Sequence, residues 1–67
     1  MKFNEKAKIR LEHWIGHNEH HREDYVQFAE ELENERKKAS AEHIREMITL
    51  TDKTTACLKN ALKALES

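Results

Sequence analysis

Four of the chain's five histidines lie within nine consecutive residues, His13-Trp14-Ile15-Gly16-His17-Asn18-Glu19-His20-His21. Imidazole is the commonest side-chain ligand for transition metals and the group that titrates nearest neutral pH. On a helix, histidines four residues apart are separated by about 6 Å of rise, close enough to share one ion. His13/His17 and His17/His21 are such pairs, and His17/His20 offers the three-residue alternative. His13 and His21 stand about 12 Å apart along a straight helix, which therefore cannot bring all three to one metal.

At 100° per residue, His13, His17, His20 and Asp24 form a tight stripe, while His21 turns about 80° from His13 toward the hydrophobic seam. The candidate metal ligands are His13, His17 and His21, with His20 and Asp24 as additional ones. Glu12, Glu19 and Glu23 are carboxylates near enough to serve as ligands or to orient an imidazole through its other nitrogen. Nitrogen-rich ligation suits zinc, nickel, copper or cobalt. One helix supplies two ligands, so a neighbour must complete the site, and in a two-fold dimer a copy of the same pair would do so. Cys57 adds a thiolate only if a dimer brings it close. The competing reading makes His21 a hydrogen-bonded core residue, His20 a solvated one, and His43 unrelated to the cluster.

Other chemistries lack their residues. No Glu has a His three positions later, as a di-iron carboxylate bundle needs. His13-Trp14-Ile15-Gly16-His17 has zincin spacing without the glutamate base at its second position. There is no Gly-rich phosphate loop, and Asn18 with its charged neighbours makes a poor haem cleft. The chain is expected not to be an enzyme.

The elements that must carry these residues follow from composition. With no Pro, a single Gly and many Ala, Leu, Glu, Lys and Arg, the chain reads as helix almost throughout. Twelve Lys and Arg against thirteen Asp and Glu leave no basic surplus to track a phosphate backbone, so nucleic acid is not an expected partner. No apolar run reaches the roughly 20 residues needed to span a bilayer. The start, Met1-Lys2-Phe3-Asn4-Glu5-Lys6, does not read as a signal peptide. The lone Cys57 excludes an internal disulfide. Cytoplasmic location is the resulting expectation.

Leu11, Trp14, Asn18, His21, Tyr25, Phe28 and Leu32 align as one heptad-like stripe, and Ala41, Ile44, Ile48, Thr51, Thr55, Leu58, Leu62 and Leu65 as another. The polar stretch Asn34–Ser40 separates them, with Ser40 as an expected N-cap. The expected fold is all-α: one helical-hairpin domain over 1–67, antiparallel, with helices at about 4–36 and 40–65. The alternative is three helices, with a break near Thr49-Leu50-Thr51-Asp52. Gly16 is expected to permit close packing. Pairing about Lys38 sets His21 near Thr55, Asn18 near Leu58 and Tyr25 near Thr51, which gathers the polar core positions at one level, as a hydrogen-bond network or the surroundings of a ligand.

Met47, Leu50, Thr54, Cys57 and Ala61 form a second stripe, with His43 one turn before it. One hairpin cannot cover both stripes, so a homodimer forming a four-helix bundle is expected. The alternative to the metal-binding reading is a dimeric helical interaction module, with a structural polar core and no metal, whose apolar seam or charged faces dock a partner protein.

The segment from Leu11 to His21, followed by Tyr25 and Phe28-Ala29-Glu30, resembles a family of very short, uncharacterised prokaryotic helical proteins with a His-Trp-Ile-x-His-Asn-x-x-His motif. His13, Trp14, His17, Asn18 and His21 match that motif; Gly16 stands where the pattern has a larger residue. The resemblance implies no particular function.

Overall fold

Two helices of nearly equal length account for the chain, which a computed structural model describes from residue 2 to residue 66. Helix α1 runs Phe3–Asn34 and α2 runs Lys38–Glu66, packed against each other over an elongated body of 51 × 16 × 10 Å. The all-α hairpin expected from the sequence is thus present, its helix ends displaced by one or two residues. Met1 and Ser67 of the expected 1–67 domain lie outside the described residues. Helix α2 continues through Thr49–Asp52, so the three-helix alternative is not the structure. No helix among the described residues is long and apolar enough to cross a membrane.

The turn is built by backbone hydrogen bonds. Arg36 N–H donates to Glu33 O at 3.0 Å and Lys37 N–H to Leu32 O at 2.8 Å, the paired bonds of a Schellman ending. Arg36 occupies the left-handed position that this motif requires, with φ 62°. Helix α2 starts at Lys38, and Ala41 N–H donates to Lys37 O at 3.0 Å. Ser40 therefore lies inside the first turn instead of capping it.

The seam between the helices departs from the expected phase on α1. Trp14 and Phe28 are each 48% exposed, while Ala29 is 1% exposed and Ile15 half-buried. The row that faces α2 is Leu11, Ile15, Asn18, Tyr25, Ala29 and Leu32, with exposed Arg22 along one edge and, along the other, the row of exposed Trp14, half-buried His21 and exposed Phe28. The physical reason lies in size: Ala29 lets the helices approach beside Ile48, which a phenylalanine would hold apart. The α2 stripe is as expected, with Ala41, Ile48 and Thr55 buried. Thr55 satisfies its hydroxyl within its own helix by donating to Thr51 O at 3.1 Å.

Among the described residues, three cross-helix ion pairs mark one register. Arg22 grips Asp52 in a fork, Nε–Oδ1 2.7 Å and Nη2–Oδ2 3.3 Å. Arg45 meets Glu33 at 2.6 Å and Lys59 meets Glu19 at 3.2 Å. These pairs agree with antiparallel pairing about Lys38. Arg22 and the row Glu19, Val26, Glu33 thus face the row Arg45, Asp52, Lys59 on one side of the hairpin. By exclusion, the row Trp14, His21, Phe28 and the row Met47, Thr54, Ala61 share the other side.

Candidate metal site at His17 and His21

The middle of α1 carries the histidines on an unbroken helix, so their placement follows from helical geometry and rotamers alone. His17 and His21 converge: their Nε2 atoms are 3.0 Å apart and their rings meet edge to face with centroids 4.4 Å apart. Without metal, one ring donates an N–H to the lone pair of the other. Two imidazole nitrogens on one tetrahedral zinc, at 2.0–2.1 Å each, stand about 3.3 Å apart. The pair is within a few tenths of an ångström of that bite.

His21 is held on two further sides. Its Nδ1 lies 4.0 Å from Asp24 Oδ2, and its ring stacks on Tyr25 with centroids 5.9 Å apart and planes 17° from parallel. At 4.0 Å Asp24 is beyond direct hydrogen-bond reach of Nδ1 and acts on His21 by its charge alone. His21 is half-buried beside the seam, while His17 is exposed.

The other expected ligands stand apart. The His13 ring stacks on His17 with centroids 6.1 Å apart, and the His20 ring lies 6.1 Å from His21. His43 is near Glu46, 3.9 Å away, beside the connection. Among the described residues no group of three or more His, Cys, Asp and Glu side chains is placed to hold one ion. The geometry thus selects one of the spacings open in the sequence, His17/His21, and stops at two nitrogens.

Nor do the polar positions at this level form a buried network. Thr55 bonds within its own helix, and among the described residues no buried side-chain N or O lacks a partner. Gly16 is exposed, and a Cβ added to it would meet nothing within 4 Å, so it does not serve close packing in the hairpin. The cross-helix pairing of Arg22 with Asp52, Arg45 with Glu33 and Lys59 with Glu19 was not expected from the sequence; the signal was opposite charges at matching levels of an antiparallel pair.

The family model for a domain of unknown function, DUF8180, matches residues 7–65 and so takes in nearly all of both helices. The chain belongs to that family. The DUF8180 match spans the histidine pair, the turn and the aliphatic face of α2 as one unit. No curated protein and no solved structure matches the chain.

Proposed function

We propose that this member of the DUF8180 family is a small cytoplasmic transition-metal-binding protein, a carrier, sensor or accessory factor, that captures its ion at His17 and His21. The observation that carries this reading is the 3.0 Å separation of the two Nε2 atoms. Asp24 supports it by placing a carboxylate 4.0 Å from Nδ1 of His21, on the side where a ligating imidazole finds its second contact. Zinc, nickel, copper and cobalt suit such a donor set, and the reading assigns no reaction to the chain. The histidine motif is the proposed functional signature of this chain. The exposed, unpaired Cys57 suits a reducing compartment.

The test is metal titration of the untagged protein by calorimetry, with zinc and cobalt as probes. Zinc is expected to bind to the wild type, and His17→Ala and His21→Ala each to weaken it by about tenfold or more. His43→Ala is expected to change nothing. Equal affinity in wild type and His17→Ala would overturn the reading.

A further inference from the structure

The side of the hairpin opposite the ion pairs is uncovered; its α1 half carries Arg10, over the Trp14 ring, and Asp24, and its α2 half is short of charge. On α2 it presents His43, Met47, Leu50, Thr54, Cys57 and Ala61, none carrying a formal charge, with Leu50 57% exposed. On α1 it presents Trp14 and Phe28, each 48% exposed, on either side of the histidine pair. The chain exposes 5477 Å². A compact monomer of its mass would expose about 4,450 Å². The excess, about 1,000 Å², is close to the roughly 800 Å² that each partner contributes to a standard stable interface.

We infer that a second copy of the chain covers this side about a two-fold axis parallel to the helices, and that Cys57 of each copy completes the His17–His21 site of the other. Such an axis keeps every residue at its own level and lays α1 of one copy on α2 of the other. The register set by the ion pairs makes Trp14 level with Ala61, His21 with Thr54 and Phe28 with Met47. Across the axis, a large side chain then meets a small or flexible one at each of three steps, the alternation that fills a bundle evenly. The other face-to-face two-fold, perpendicular to the helices, stacks α1 on α1 and α2 on α2. It sets Trp14 and Phe28 together on one side and Thr54, Cys57 and Ala61 on the other, which spaces the helices unequally.

The same register makes Cys57 level with His17 and His21. Helices in a bundle lie 8–10 Å apart, a gap that an imidazole pair from one side and a thiolate from the other span with an ion between them. The dimer then holds two equivalent sites, each of two nitrogens and one sulfur, at the outer edge of the groove with a position left for water. This inference rests on the proposed His17–His21 chelate for its metal, but its dimer is testable without one.

The test combines sedimentation equilibrium of the full untagged chain, under reductant, with zinc and cobalt titration. The wild type is expected to sediment as a dimer with two ions bound per dimer and a thiolate-to-cobalt charge-transfer band. Leu50→Glu, at an exposed position, is expected to give a helical monomer. Cys57→Ser is expected to keep the dimer, lose the band and bind zinc about tenfold or more weakly. A monomeric wild type, or a dimer unchanged by Leu50→Glu, would overturn the assigned interface. One ion per dimer without the band would mean that two imidazole pairs meet instead, and would overturn the thiolate site. Loss of zinc binding in His17→Ala with the dimer intact separates the metal reading from the interface.

Discussion

Whether His17 pairs with His13 or with His21 is decided by side-chain rotamers. Both spacings are open on a regular helix, and the sequence alone left both standing. In the structure the His21 ring stacks on Tyr25 with Asp24 4.0 Å from its Nδ1, and its Nε2 is what meets His17. The candidate site was therefore legible as a set of residues and illegible as a pair. Gly16 was misread for a related reason: the sequence offered a packing role, but no neighbour lies within 4 Å of where its Cβ would be. Gly16→Ala is expected to stabilise the fold by about 0.5–1 kcal/mol, through helix propensity alone. Thermal melts followed by circular dichroism would show it, and a lower melting temperature would contradict the open space there. Arg36 is the complementary case, a residue with a Cβ at φ 62° where glycine is preferred. Arg36→Gly is expected to raise stability by up to about 1 kcal/mol, relief of left-handed strain outweighing the added chain entropy. Urea denaturation would measure it.

The two helices differ in how clearly their sequences point inward. The α2 stripe was readable because its apolar residues occupy one heptad phase and its charges avoid it. On α1 two phases compete, one with the larger side chains (Trp14, Phe28) and one with Ile15, Arg22 and Ala29. Hydrophobicity favoured the first, whereas close approach at Ala29 and the Arg22–Asp52 fork favour the second. Element type, order and register were legible from sequence, while the phase of α1 depended on which small residue the partner helix could use. The ion pairs that mark this phase also carry a pH signature. The hydrogen bond and charge of Arg45 hold the Glu33 carboxyl below its ordinary value. A carboxyl depressed in the folded state contributes stability that is present above its unfolded pKa and is lost as pH falls through the folded one. Glu33→Gln is therefore expected to cost a little stability at neutral pH, and to converge with the wild type in acid well below pH ~4. Urea melts at the two pH values would check it, and an equal gap at both would deny the pair a role.

At the scale of the whole molecule, the hairpin buries little. Among the described residues the buried apolar ones are Ala29, Ala41 and Ile48, and no large side chain is fully buried. An 8.0 kDa chain gains scant stability from such a core, and small scaffolds with no disulfide rely on a metal or on another subunit. The proposed dimer supplies both kinds of support at once, since the covered side is also where the histidine pair stands. If folding and association are coupled, mass action ties stability to protein concentration. The wild-type melting temperature is then expected to rise steadily with concentration across the micromolar range, and to rise further with zinc. Leu50→Glu should melt lower and show no concentration dependence, because its hairpin would be left to stand alone. A wild-type melting temperature independent of concentration, with a monomer's mass, would mean that the two helices suffice by themselves. Their half-exposed Trp14 and Phe28 would then need another explanation.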